Sequence, residues 1–277
     1  MGRTEIYYFS GTGNSLHVAR ELQKRLPKAE LIPMIKLLKE RSIKPDAEAL
    51  GFVFPIYLAS IPKPVRSFMQ RLDPSSARYI FTVATRIGSF TTADMSINRI
   101  LRKKGKKLDA FALINMASNS PTGLKPGKGD QQWVDKMGSS KVQRMERALL
   151  PELDRISAMI QKKEPSPRKR LSYPFRYLTF TVMDPLTRNM KNDIGYYIDD
   201  TCIGCGTCER VCPSGKVKLK NNRPIWQTDI PCYYCYACFN FCPQQAILVK
   251  NKYTRKDGRY HHPDITLDDI VNQRTRI

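Results

Sequence analysis

All eight cysteines of this chain stand in two short runs of identical spacing. Residues 202–213 read Cys-Ile-Gly-Cys-Gly-Thr-Cys-Glu-Arg-Val-Cys-Pro, and residues 232–243 read Cys-Tyr-Tyr-Cys-Tyr-Ala-Cys-Phe-Asn-Phe-Cys-Pro. Cys202, Cys205, Cys208, Cys212 and Pro213 thus recur thirty residues later as Cys232, Cys235, Cys238, Cys242 and Pro243. No thiol is left over, so whatever the runs do, they do together.

Three chemistries compete for these thiols. Disulfides suit a secreted chain, but Met1–Tyr7 has neither the apolar stretch nor the small-residue cleavage site of a signal peptide. Zinc takes four ligands, usually as two separated C-x2-C pairs, which leaves the third cysteine and the Cys-Pro of each run without a use. The full C-x2-C-x2-C-x3-C-P spacing resembles that of bacterial iron–sulfur ferredoxins, where the Cys-Pro cysteine ligates the other cluster. The resemblance implies one 4Fe–4S cluster on Cys202, Cys205, Cys208 and Cys242, and a second on Cys232, Cys235, Cys238 and Cys212. Small residues between ligands let the loop approach a cluster. Gly204 and Gly206 serve this in the first run, and Tyr234 and Tyr236 replace them in the second. Bulky rings exclude water, so the clusters are expected to differ in potential and the first to be the wetter. Val217-Lys218-Leu219 and Ile247-Leu248-Val249 read as matching short strands after each Cys-Pro. The link through Asn221 and Pro224 is long enough to bring Trp226 over a cluster.

The N-terminal half reads differently. Arg3-Thr4-Glu5-Ile6-Tyr7-Tyr8-Phe9 is a strand by composition. Ser10, Gly11, Thr12, Gly13, Asn14 and Ser15 follow it, and Leu16, Val18, Ala19, Leu22 and Leu26 then recur at helical spacing. A strand, a loop of glycines and hydroxyls, and a helix N-terminus together suit a phosphate. No Gly-Lys-Ser/Thr ends the loop, which argues against a P-loop. Leu16 occupies the third glycine position of a dinucleotide fingerprint and weakens that reading, while Glu30 near the ribose-acid spacing keeps it open. The loop resembles the FMN-phosphate loop of flavodoxins. Further strands are expected at 50–57, 79–85 and 108–116, alternating with helices, which implies a doubly wound parallel sheet. Ligands of such sheets sit beyond the carboxyl ends of the strands. By the flavodoxin resemblance, Pro55, Ile56, Tyr57, Leu58, Arg86, Ile87, Gly88, Ser89, Ala117, Ser118 and Asn119 would surround the isoalloxazine, with Tyr57 stacking on it. Neither Trp133 nor Trp226 falls in a loop matching the stacking tryptophan of flavodoxins. Residues 117–138 look like an insertion over this site.

Between the halves, Lys162, Lys163, Arg168, Lys169 and Arg170 crowd around Pro165 and Pro167 like a linker. Tyr173–Met183 is too aromatic to stay solvated and is expected to pack between domains. The expected division is a flavodoxin-like FMN domain at 1–162, a basic and aromatic linker at 163–195, and a small α+β two-cluster ferredoxin domain with its tail at 196–277. The adjacent His261 and His262 suggest a structural or interface role, since no spare ligands accompany them.

Taken together, the chain resembles flavodoxin–ferredoxin fusion proteins, on the Ser10–Ser15 loop, the Phe54-Pro55-Ile56-Tyr57 turn and both cysteine runs. That implies FMN and two 4Fe–4S clusters in a low-potential electron-transfer protein. The net charge of +22, from 47 Lys and Arg against 25 Asp and Glu, favours an acidic redox protein or enzyme complex as partner. An FMN-dependent iron–sulfur reductase acting on a small substrate is the alternative, but no acid/base constellation accompanies Tyr57, Arg86 and Ser89. A nucleic-acid-binding iron–sulfur protein rests only on charge and on the basic aromatic stretch, without a recognition fold, so no nucleic-acid partner is expected. No run of ~18 apolar residues offers a membrane span, and the expected compartment is the cytoplasm.

Overall fold

The computed structural model describes residues 2–87, 90–119, 139–166, 173–189, 194–250 and 259–274. Gly88, Ser89, most of the 117–138 insertion and the basic residues 168–170 lie outside the described residues. The chain divides into two compact units. The first comprises Met1–Phe9, Ser15–Asn115 and Ala148–Met190, and the second Ser10–Asn14, Met116–Arg147 and Lys191–Ile277.

The first unit is built on five parallel strands: β1 (Thr4–Tyr8), β2 (Ala29–Pro33), β3 (Ala49–Pro55), β4 (Tyr79–Arg86) and β5 (Ala110–Asn115). Their order is β2-β1-β3-β4-β5. This is the flavodoxin-like order and differs from that of dinucleotide-binding folds. β1, β3 and β4 are buried almost throughout, as strands covered on both faces must be, and that is why they read as unbroken apolar runs. β2 escapes a reading by composition because its five residues are mostly half-exposed and include Glu30 and Pro33. Glu30 pairs with Arg3 at 2.6 Å, which gives that acid a structural partner. Gly51 sits opposite Phe81 in the β3–β4 register. A Cβ there would lie 2.3 Å from the Phe81 ring, so this position needs glycine for close approach.

Helices α1 (Asn14–Arg25), α2 (Lys63–Arg71) and α3 (Ala93–Arg102) follow β1, β3 and β4. Leu16, Val18, Ala19 and Leu22 form the buried stripe of α1, at the helical period. The long helix α4 (Ser139–Gln161) buries Leu149, Leu153, Ile156 and Ile160 and is tied to α1 by Arg25–Asp154 at 2.7 Å. The aromatic stretch at 173–183 forms part of a helix, α5 (Tyr173–Asn189), which packs on α3 in the first unit. Arg176 pairs with Asp94 at 2.5 Å. Asp184 is fully buried and takes Arg66 at 2.7 Å, Ser96 Oγ at 3.0 Å and Arg99 at 3.5 Å. No helix among the described residues is long and apolar enough to cross a membrane.

The second unit is small and α+β. β6 (Tyr196–Ile198) pairs antiparallel with β9 (Ile247–Val249), and β7 (Val217–Lys220) pairs antiparallel with β8 (Arg223–Trp226). Two one-turn helices, α6 (Thr207–Arg210) and α7 (Ala237–Asn240), begin inside the two cysteine runs and pack together. The last helix, α8 (Leu267–Val271), starts at a capping box between Thr266 and Asp269. Phe239, Val217, Ile247 and Val249 join Cys208, Cys212 and Cys238 in one core. The Arg259 guanidinium lies 3.3 Å from the Phe239 ring centroid and donates to the carbonyls of Phe239, Gln245 and Ile247. One charged side chain thereby ties the tail to the core through cation–π contact and hydrogen bonds.

Candidate metal centres and phosphate loop

Each cysteine run folds the same way. The residues between the first two spacings turn through left-handed backbone: Gly204 at φ 68° and Gly206 at 77° in the first run, Tyr234 at 58° and Tyr236 at 55° in the second. A short helix follows immediately, carrying Cys208 or Cys238 in its first turn. Two tyrosines therefore hold a conformation that costs a side-chain-bearing residue free energy. Tyr236 recovers some of it by packing edge-on against Tyr196 and Phe239, at centroid distances of 6.3 and 6.4 Å.

The thiols gather in two cavities. One is lined by Cys202, Cys205, Cys208 and Cys242, with Gly204, Leu219, Pro224 and Ile247 in its wall. The other is lined by Cys212, Cys232, Cys235 and Cys238, with Tyr196, Lys216, Val217, Trp226 and Tyr236. The last cysteine of each run thus lines the cavity of the opposite run. Backbone N–H groups reach the sulfurs, Tyr234 N to Cys232 Sγ at 3.4 Å and Ala246 N to Cys242 Sγ at 3.3 Å. Four sulfur donors, apolar walls and N–H groups aimed at sulfur are the donor set an iron–sulfur cluster takes.

Residues 201–247 match the family model of the 4Fe-4S dicluster domain. This segment is ferredoxin-like. No curated protein matches the chain. The ferredoxin-like segment is a site of iron–sulfur electron transfer, and its electrostatics agree. Burial pushes the Cys208 thiol up to about 12, with charge on Cys242 and Cys205 adding to it. Burial likewise raises Cys235, then Cys232 and Cys212 do. For Cys238 burial leads, followed by Cys212 and Cys235. Lone thiolates are disfavoured in such surroundings, whereas a bound metal's positive charge deprotonates a coordinating thiol outright.

The two cavities of the ferredoxin-like segment differ in wetness. Cys205 is exposed and Ile203, at the mouth of the first cavity, is 65% exposed. In the second, Cys212, Cys235 and Cys238 are all buried. Beside the first cavity the β7–β8 hairpin sets Lys220 opposite Arg223, both exposed, while Lys218 pairs with Glu209 at 2.8 Å. Lys216 is buried against the second cavity, its ammonium donating to the carbonyls of Gln227 at 2.5 Å and Ile230 at 2.8 Å. Sequence reading missed Lys216, Tyr196 and Arg259. Nothing local marks them, because their partners lie 11 or more residues away along the chain.

The residues expected around a flavin fall in both units. In the second unit, Ser10 Oγ accepts from Gly13 N at 3.1 Å, and Gln273 brackets Ser10 with bonds to its N–H and carbonyl at 2.9 and 3.1 Å. Asn14 donates to the Ala117 carbonyl at 2.9 Å and accepts from Tyr260 Oη at 3.0 Å. Asn119 Nδ2 lies 2.7 Å from Thr12 Oγ1 and 3.5 Å from the Cys235 carbonyl. His262 N donates to the Thr12 carbonyl at 2.8 Å, and the His261 ring stacks on Phe241. Gln273 and Tyr260 were not legible as loop partners, lying some 250 residues along the chain. In the first unit, Ser15 Oγ meets Thr85 Oγ1 at 2.7 Å, and Ile56 N donates to the Thr85 carbonyl at 2.8 Å. Tyr57 and Ser60 exchange backbone hydrogen bonds across a turn in which Leu58 and Ala59 both have positive φ, 51° and 61°. Tyr57 meets Phe9 edge-on. Burial lowers the Arg86 pKa, and Ile87 beyond it is exposed. Ser10, Thr12 and Ser15 are themselves buried, and their hydroxyls have protein partners.

Proposed function

We propose that the chain relays electrons between an FMN and two 4Fe–4S clusters, and exchanges them with an acidic redox partner at the first cluster. The reading is carried by one observation, that the eight cysteines line two cavities four and four, with Cys212 and Cys242 each exchanged into the opposite set. Cys202, Cys205, Cys208 and Cys242 would hold the first cluster, and Cys212, Cys232, Cys235 and Cys238 the second. Support for FMN comes from the strand order and from the Ser10–Ser15 pattern. Ser10, Gly11, Thr12, Gly13, Asn14 and Ser15 would hold its phosphate, and Tyr57 would lie against its ring. A flavin exchanges one or two electrons and each cluster one, so the assembly matches one-electron carriers to two-electron chemistry.

The Asn119 amide, between Thr12 and the Cys235 carbonyl, favours the second cluster as the neighbour of the flavin loop. Exposure of Cys205 and Ile203 beside Lys220 and Arg223 favours the first as the docking end. Residues 1–162 are proposed to act as an FMN domain and residues 196–277 as a ferredoxin domain, joined through residues 163–195, in the cytoplasm.

Anaerobic purification with iron, sulfide and flavin quantification tests this. About eight irons and one FMN per chain are expected. Cys212→Ala should abolish the EPR signal of the second cluster and Cys242→Ala that of the first. Loss of the cluster on the mutated run's own side would refute the crossed assignment, and a flavin-free, iron-loaded protein would refute the FMN half.

A further inference from the structure

Two residues that line the second cavity carry polar atoms out of place for a protein interior. Tyr196 Oη and Trp226 Nε1 are both buried, and neither has a hydrogen-bond partner among the described residues. Nearly all buried donors in folded proteins are paired, so two orphans on one cavity's lining call for an acceptor that the described residues do not supply. Their rings stack at 5.2 Å and 21°, which fixes the two donors relative to each other. Both line the cavity of Cys212, Cys232, Cys235 and Cys238. The first cavity has Thr207, Gln244, Leu219 and Pro224 in its wall and, among the described residues, no aromatic donor.

We infer that Tyr196 O–H and Trp226 N–H donate hydrogen bonds to the sulfur atoms of the second cluster and thereby raise its reduction potential. The inference rests on the proposed second cluster and adds the chain's own tuning groups to it. Reduction places an extra negative charge on the cluster. Donors aimed at its sulfurs stabilise the reduced form more than the oxidised one. Burial of the same cluster acts in the opposite direction, because a dry site disfavours added charge. The two donors therefore offset the desolvation that Tyr196, Trp226 and Tyr236 impose. Without them, the drier cluster would be much harder to reduce than its exposed neighbour, and transfer between the two would run strongly one way.

The test uses the full, cluster-loaded chain, with redox titration followed by EPR and exchangeable-deuteron ENDOR on the reduced protein in D2O. Wild type should show strongly coupled exchangeable deuterons on the second cluster. Tyr196→Phe and Trp226→Phe should each remove part of that coupling. Each should also lower the midpoint of the second cluster by about tenfold in the one-electron equilibrium, or about 59 mV, leaving the first unchanged. Wild-type protein with both clusters present but no such coupling overturns the inference without need of any variant. Lost coupling with an unmoved midpoint overturns the tuning role. Failure of wild type to bind iron would instead refute the electron-relay reading, a distinguishable result.

Discussion

Gly204→Ala and Gly206→Ala form a matched pair whose difference can be worked from the structure. Both glycines have left-handed backbone, at φ 68° and 77°, so any side chain there carries a strain of about 1–2 kcal/mol. The surroundings then separate them. A Cβ on Gly206 would lie 3.5 Å from Leu219 Cδ1, an ordinary contact, whereas on Gly204 it would lie 2.6 Å from the Asn222 carbonyl oxygen and 2.9 Å from Asn222 Cβ. Asn222 sits in the β7–β8 turn, where both Asn221 and Asn222 already have positive φ, so that carbonyl has little freedom to retreat. Overpacking of this kind adds about 1–3 kcal/mol. Gly206→Ala is therefore expected to lose about 1–2 kcal/mol and Gly204→Ala about 2–5 kcal/mol. Anaerobic denaturant unfolding at matched slope measures the difference. Chelator-driven iron loss should be faster in Gly204→Ala and confined to the first cluster. Equal destabilisation of the two variants, or a larger loss in Gly206→Ala, would refute the argument from close approach.

Removing Asp184 should destabilise the first unit by roughly 3–5 kcal/mol, because Arg66 is left charged and largely buried; urea unfolding of Asp184→Ala checks this. Tyr79 Oη donates to the Glu164 carbonyl at 2.9 Å, and burial pushes its phenol from 10.0 up to about 12. The folded protein keeps that proton while the unfolded chain loses it, so this stability is full below pH 10 and falls as pH rises toward 12. Tyr79→Phe should cost about 1 kcal/mol at neutral pH and lose less stability than wild type when the pH is raised through that window, as read from paired denaturation curves. Electron delivery to an acidic partner should slow steeply with added salt, since the charge of +22 steers the encounter. A stopped-flow rate insensitive to salt would remove the electrostatic part of the docking argument.

Much of this molecule is visible before it folds. The alternation of apolar runs and helical periods marks β1, β3 and β4, because strands buried on both faces have no polar side to hide, and it marks β5 because that edge strand is still apolar at most positions. The edge strand β2 escapes, since an edge position needs little apolar surface and its Glu30 finds Arg3 only in space. The stretch at 173–183 declares its hydrophobic content but not its destination. Its docking depends on Asp184 meeting Arg66, Ser96 and Arg99 from two other helices. The hydroxyls of the Ser10–Ser15 loop suggest free donors in sequence, and the fold gives them internal partners.

The cysteine runs show the same division most sharply. Ligand chemistry is local: the number of thiols, their gaps and the small or aromatic residues between them are covalent facts, and they alone point to iron and sulfur. Which residues close each site is not local. Cys212 shares a cavity with a run that begins twenty residues later, and Tyr196 and Trp226 complete its wall from two different sheets. The bonds of Gln273 and Tyr260 to the first loop span almost the whole chain. Such groupings follow from the path of the folded backbone, and a pattern of spacings records only what lies within a few residues of itself.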